Sequence, residues 1–256
     1  MKKRFKPTNL PALTAIFGLT GLILRWCLYR FCLDEKFLIP AGHPMEILLY
    51  LFTAGVVIFL IAAIWKLDGS NKYQDNFAPS FPAAVGHILA AAGILLTVLL
   101  NEPNLEGGIG QWWEFLGILA PICLVVAGFA RLQGKRPFFA LHLAPCLFLV
   151  FHIVNQFRIW SSDPQIQDYV FTLLGTIALM FFCFYTAAFD VGSGRRRMHL
   201  GMGLVGAYLC MVNIATTEYL FLYVGITAWA LTDLCTFTPK PKPPKPEPPK
   251  ESGEST

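Results

Sequence analysis

The sequence contains a series of apolar runs, each close to the length that crosses a lipid bilayer as a helix. A spanning helix needs about 20 consecutive apolar residues, and its backbone polar groups must bond within the segment because lipid offers no partners. The chain is 55% hydrophobic and 14% charged, whereas soluble domains carry about 25% charged residues. We therefore expect an all-α fold, a polytopic transmembrane helix bundle, with membrane lipids around it and no nucleic-acid partner.

The apolar runs predict about eight spans within a transmembrane helical domain of residues 1–237. The expected ranges are 10–33, 44–66, 82–101, 112–131, 138–157, 167–189, 198–214 and 218–236. The stretch from Met198 to Phe237 is too long for one helix that rises 1.5 Å per residue. Polar residues between Asn213 and Glu218 predict a hairpin within that stretch. A seven-span chain is the alternative.

The distribution of basic residues predicts the orientation of the bundle. With eight spans, the N-terminus, the tail and loops 67–81, 132–137 and 190–197 share one side, and most lysines and arginines lie there. The other side has Lys36 and Arg158, with Arg30 near the boundary. Basic loops stay on the cytoplasmic side of a membrane. We expect a multi-pass protein of the cell membrane with both termini in the cytoplasm.

Residues 238–256 form a separate segment that is rich in proline and lysine. Proline fixes φ and removes backbone donors, so this tail is predicted to be disordered, extended and cytoplasmic. Such a tail is suited to binding a partner protein or, through its lysines, anionic lipid. A flexible solubilising end is the simpler interpretation.

Similar polar residues recur in the two halves of the chain. The same spacing separates His87 from Asn101 in the third span and His199 from Asn213 in the seventh. Four spans per half would give parallel repeats related by an axis along the membrane normal. The pattern thus raises the hypothesis of a 4+4 internal repeat whose third and seventh helices pack near the axis.

Arg25 is the most informative single residue because it lies inside the first span, toward the outer half. An arginine in a bilayer costs about 2.5–3.5 kcal/mol on insertion scales, so it is expected to face the bundle interior with an acidic partner. Glu46, Glu114 and Glu218 lie at similar depth. Tyr29 lies one helical turn beyond Arg25 on the same face.

The fifth span adds His152, Asn155 and Gln156 near its outer end. Together with Arg25, Tyr29 and the three glutamates they predict a ligand-binding polar pocket that opens to the outer face. The alternative is an ion pair that only holds helices together.

The sequence predicts no cofactor, no metal and no catalytic residue. The seven cysteines form no Cys-x-x-Cys pair and are interpreted as small buried hydrophobes. His87 and His199 would be the pair for a haem, if they faced each other across the repeat axis. Asp190 and Asp233 lie at inner helix ends without a surrounding motif, and we expect them to pair with Arg195 to Arg197 or with water.

Three functional classes are compatible with these features. A small-molecule transporter or solute-binding membrane protein is favoured by the Arg25 cluster and by the prolines inside spans four and five. An accessory or sensory membrane protein that acts through partners is favoured by short loops and the proline-rich tail. A lipid-active membrane enzyme is the third class, although no catalytic motif supports it.

The orientation predicts the behaviour of a reporter fused after Thr256. Eight spans return the C-terminus to the cytoplasm, so a reporter that is active only there should be active. A fusion within the Asn213–Glu218 hairpin should be inactive and serves as the control. An inactive C-terminal fusion would contradict eight spans.

Overall fold

The computed structural model describes residues 9–32, 39, 42–65, 72–101, 108–160 and 169–237. Of these, the backbone alone is described for residues 108, 109 and 158–160. The predicted tail, residues 238–256, lies outside the described residues.

The described residues fold into helices without a β-strand. In chain order these are α1 (Leu10–Phe31), α2 (Pro44–Trp65), the short α3 (Tyr73–Asn76), α4 (Phe81–Leu100), α5 (Gly108–Leu132), α6 (Ala140–Trp160), α7 (Val170–Asp190), α8 (Arg196–Asn213) and α9 (Leu220–Cys235). Local sequence explains several boundaries. The Ser80 side chain accepts a hydrogen bond from the Ala83 backbone N–H at the start of α4, where Pro82 fits the first turn.

Each of the eight predicted segments contains one helix, and the predicted break after Asn213 separates α8 from α9. Six helices (α1, α2, α4, α5, α6 and α7) are long and apolar enough to cross a membrane. The helix α8 begins with Arg196 and Arg197, and α9 has 16 residues. Whether these two helices also cross the membrane stays a prediction.

Large apolar side chains cover the outer surface of the helices. On α5 they recur at helical spacing and are about half exposed, as at Trp112, Phe115, Ile122, Val126 and Phe129. Buried positions, by contrast, include charged side chains. This inverted arrangement is the one expected when the surrounding solvent is lipid. The described chain therefore has the architecture of a multi-pass helical membrane bundle.

The two ends of the bundle differ in charge. The end where α4, α6 and α8 begin is called the basic end, and its described basic residues are Lys72, Arg131, Lys135, Arg136, Arg195, Arg196 and Arg197. The opposite end carries Glu46, Glu114 and Glu218 together with Arg30. The predicted inner face corresponds to the basic end.

Among the described helices, the most extensive contact joins α4 to α9. Small residues allow it: a Cβ atom on Gly225 would lie 2.6 Å from the Leu89 carbonyl oxygen and 3.2 Å from the Ala90 Cα. A Cβ on Gly93 would collide with the Phe221 carbonyl oxygen. Backbone approach through small residues is a common way for membrane helices to associate.

Helix contacts depart from the predicted repeat. A twofold axis that relates spans 1–4 to spans 5–8 would pair the α4–α9 contact with an equal contact between α5 and α8. Within the described residues α8 instead packs on α7, α1 and α9, and α5 packs on α4 and α6. The third and seventh spans, α4 and α8, are likewise not close neighbours. Shared residue spacing had suggested a symmetry that the packing does not follow.

The α4–α9 contact predicts a large difference between two glycine-to-alanine substitutions. Gly225→Ala should lower the free energy of unfolding by about 1–3 kcal/mol, because its Cβ meets backbone that cannot move aside cheaply. Gly55→Ala is the matched control, since a Cβ there meets nothing within 4 Å. Thermal unfolding in detergent measures both; equal midpoints would contradict the tight contact.

Candidate functional site

Arg25 lines two cavities near the opposite end of the bundle. Only 3% of this residue is exposed, although it belongs to α1. The centre of its guanidinium group lies 4.9 Å from the centroid of the Phe171 ring and 5.5 Å from that of Tyr29. Aromatic faces attract cations more strongly when both are shielded from water. The predicted proximity of Arg25 and Tyr29 is present in the structure.

The larger cavity has an empty volume of about 690 Å³, part of which is open to solvent. Each of its lining residues carries a polar or charged group, and they come from α1, α6, α7 and the α8–α9 turn: Arg25, Tyr29, Gln156, Tyr169, Thr172, Asn213, Thr216, Thr217, Glu218 and Tyr219. We call it the polar cavity. Water-sized molecules can occupy about 190 Å³ of this cavity.

Arg25 also lines a much smaller cavity, which has room for about one water molecule. Glu46 lines it together with Arg25, Tyr29 and Tyr50. Among the three candidate acidic partners of Arg25, Glu46 and Glu218 each share a cavity with it. Glu114 is exposed on α5 and lines neither cavity. Similar depth along the membrane normal did not place Glu114 on the same side of the bundle as Arg25.

The α6 residues occupy three different positions. Gln156 reaches the polar cavity, which it lines together with Tyr219. Asn155 is fully buried. His152 is 1% exposed, and its Nε2 atom lies 3.3 Å from the Tyr223 hydroxyl. His152 thus lies deeper than the cavity wall rather than on it.

A chain of hydrogen bonds runs from the polar cavity into the core. The Thr172 hydroxyl donates to the Asn213 Oδ1 atom at 2.6 Å, and Thr176 donates to the Thr172 carbonyl at 2.7 Å. The Thr176 hydroxyl also lies 3.2 Å from the Tyr223 hydroxyl, which contacts His152. Polar groups of α6, α7, α8 and α9 are therefore connected without leaving the bundle.

A second polar assembly, at the basic end, was not predicted. Arg131 at the end of α5 donates from Nε to the Asp233 Oδ1 atom of α9 at 3.2 Å. Its other nitrogens donate to the Ala78 carbonyl at 2.7 Å and to the Thr236 hydroxyl at 3.2 Å. Both partners of this ion pair are at most 4% exposed. His199 of α8 approaches the second carboxylate oxygen of Asp233, with 3.7 Å between Nε2 and Oδ2.

The other half of this assembly joins α4, α6 and α7. His142 Nδ1 lies 2.6 Å from Asp190 Oδ2, and His142 Nε2 lies 3.3 Å from His87 Nε2. These two aspartates were expected to pair with Arg195 to Arg197 or with water. Their observed partners, His142 and Arg131, lie on neighbouring helices instead. His87 faces His142 rather than His199, so the geometry proposed for a haem is wrong.

Aromatic rings enclose the basic-end assembly. Trp229 packs at 5.0 Å from the His87 ring and at 6.1 Å from the His142 ring. Phe77, Phe189 and Phe237 surround His199 with centroid distances of 5.3–5.7 Å. Tyr73 lies in the segment before α4, where burial raises the pKa of its hydroxyl to about 12. The assembly is therefore shielded from water by aromatic residues.

Comparison with known protein families, curated proteins and solved structures found no match for this chain.

The Arg131–Asp233 pair predicts that removing the arginine alone destabilises the protein and that removing the aspartate as well restores much of the lost stability. Arg131→Met leaves the buried Asp233 without its cation and should cost about 3–5 kcal/mol, while Arg131→Met with Asp233→Leu should recover much of that loss. Arg30→Met, at an exposed position on α1, is the control and should stay near wild type. Thermal unfolding in detergent measures the stability of wild type and of the three variants. If Arg131→Met were as stable as Arg30→Met, the stabilising role of the ion pair would be contradicted.

Proposed function

We propose that this chain is a small-molecule transporter or solute-binding membrane protein, and that its ligand carries an anionic group which enters the polar cavity. The observation that carries the proposal is Arg25, a cation that is 3% exposed within an apolar helix and lines two cavities. Ionisable residues inside a membrane are rare and usually mark a substrate path or a binding site.

Hydrogen-bond donors near Arg25 support an anionic ligand. Asn213 Nδ2 and Gln156 Nε2 are buried, and each has no hydrogen-bond partner among the described residues. A buried donor without a partner costs about 1–3 kcal/mol. A carboxylate or phosphate group in the polar cavity would accept from both amides and from the fork of N–H groups on Arg25.

Glu46 provides a counter-charge for the empty state. It lines the smaller cavity with Arg25, so the guanidinium can turn toward Glu46 when no anion is bound. Binding would then exchange one carboxylate partner of Arg25 for another. Such an exchange keeps the cation compensated at every stage, which a low-dielectric environment requires.

The proposal includes the orientation of the protein. We place the basic end in the cytoplasm, following the positive-inside rule, so that the polar cavity opens to the outside of the cell membrane. In this arrangement α8 and α9 complete eight crossings. The helix α8 is mostly buried by its neighbours, which accounts for its lower apolar content than that of the lipid-facing helices.

Ligand-dependent thermal stability tests the role of Arg25. The test anions are acetate, succinate and inorganic phosphate, each compared with chloride at equal ionic strength. At least one of them should raise the midpoint of thermal unfolding. A ligand at 100 times its Kd stabilises by about 2.7 kcal/mol. Arg25→Met should abolish the shift, and Arg25→Lys should weaken it because the planar fork is lost.

Arg30→Met is the matched control, because it removes an arginine from the exposed side of the same helix. It should retain the full shift. An anion-induced shift of equal size in Arg25→Met and wild type would refute the proposed site.

A further inference from the structure

Two histidine nitrogens face each other inside the basic-end assembly. The Nε2 atoms of His87 and His142 are 3.3 Å apart, and the two residues are 1% and 3% exposed. A contact of this length between ring nitrogens requires a proton on one of them, since two lone pairs would otherwise repel.

The other nitrogen of His87 is committed to a backbone acceptor. His87 Nδ1 lies 2.8 Å from the Ala83 carbonyl oxygen, which can only accept. Nδ1 therefore carries a proton, and in a neutral His87 ring the Nε2 atom presents a lone pair to His142.

The contact between His142 and Asp190 needs a proton of its own. His142 Nδ1 and Asp190 Oδ2 are separated by 2.6 Å. If Asp190 were ionised and His142 neutral, that proton would sit on Nδ1 and the His142 Nε2 atom would present a second lone pair to His87. His87, His142 and Asp190 thus form a row with three contacts: His87 with the Ala83 carbonyl, His87 with His142, and His142 with Asp190. These three contacts require three protons.

We propose that Asp190, His142 and His87 form a proton-binding site that holds one proton more than a carboxylate and two neutral histidines do. The extra proton cancels the charge of Asp190, so the buried row is neutral overall. An isolated buried carboxylate would carry a large desolvation cost.

Helix dipoles select the position of this proton. Asp190 is the last residue of α7 and His142 is the third of α6. A negative charge is unfavourable at a helix C-terminus and a positive charge at an N-terminus. The favoured state is a protonated Asp190 that donates to His142 Nδ1, while His142 Nε2–H donates to His87 Nε2.

Among the ion pairs of the described residues, the partner of Asp190 is His142. Arg131 of α5 and Asp233 of α9 cancel each other across their own ion pair. His199 of α8 faces Asp233, and the Arg196 guanidinium lies 5.0 Å from the Phe237 ring centroid. Tyr73, whose pKa is about 12, is uncharged at neutral pH. Neutrality of the row therefore depends on the bound proton.

The row has an end close to the basic surface. Asp190 Oδ1 has no hydrogen-bond partner among the described residues, and Val191 and Gly192 directly after it are exposed. The extra proton on Asp190 can move inward from this state. The Asp190 O–H bond breaks as His142 Nδ1–H forms, and the His142 Nε2–H bond breaks as His87 Nε2–H forms, which leaves Asp190 ionised and His87 an imidazolium. This inference goes beyond the proposed solute site and does not depend on it.

Nuclear magnetic resonance of the full-length protein in detergent micelles tests the proton count directly. The chain has five histidines, so ¹⁵N-histidine labelling gives few signals, which His87→Gln, His142→Gln and the control His43→Gln assign. At pH 7 we expect His87 protonated at Nδ1 and His142 at Nε2. The infrared spectrum should also contain a carboxylic acid band that Asp190→Asn removes.

A third protonated ring nitrogen without that band would equally show the extra proton, now held as an imidazolium. His142 protonated only at Nδ1, together with His87 protonated only at Nδ1 and an ionised Asp190, would overturn the proposal. One folded variant of the pair is enough for the assignment, because the N–H···N bond between the rings couples the two Nε2 signals in the wild-type spectrum.

Discussion

Hydrocarbon offers no hydrogen-bond partner to a polar group, so every polar side chain that enters this bundle has to find its partner within the protein. The two polar assemblies follow from that constraint. Near one end, Arg25 lies against aromatic rings and beside cavities that also hold acidic residues. Near the other, Arg131 is compensated by Asp233. Between them, hydroxyl groups such as that of Thr176 bond to the preceding helical turn and to Tyr223.

Hydropathy was sufficient to locate the helices, because the length of an apolar run and the polar residues that end it are local properties. Even the division of the last apolar stretch into α8 and α9 followed from a short polar break. Helix neighbours were not predictable in the same way. Apolar side chains of similar size occur on every span, and the backbone approach at Gly93 and Gly225 that joins α4 to α9 carries no signal beyond two glycines. Matching His-to-Asn intervals suggested a symmetry that these contacts do not show.

The predicted depth of each polar residue in the membrane was the signal that located the polar cavity. It brought Arg25, Tyr29, Gln156 and Glu218 together, but it could not give the side of the bundle on which Glu114 lies. The basic-end assembly escaped prediction for a different reason. Its ion pair joins residues 102 positions apart, and the His87–His142 contact joins residues 55 apart. The partners predicted for Asp190 and Asp233 were the arginines nearest in sequence. Their partners in the structure are distant in sequence and close only in space. The sequence signal that could have found this assembly was an aspartate and a histidine buried at the same membrane depth.

The position of α9 has a consequence for how the chain is made. Arg131 leaves the ribosome long before Asp233, because three helices, α6, α7 and α8, lie between α5 and α9 in the chain. Until the last helix arrives, the arginine has no carboxylate to pair with, and α4 lacks the neighbour with which it makes its most extensive contact. N-terminal segments of a nascent chain emerge first, so a partly synthesised protein must hold this cation at the membrane surface. The synthesis of α9 is then also the step that gives Arg131 its carboxylate and closes the basic end.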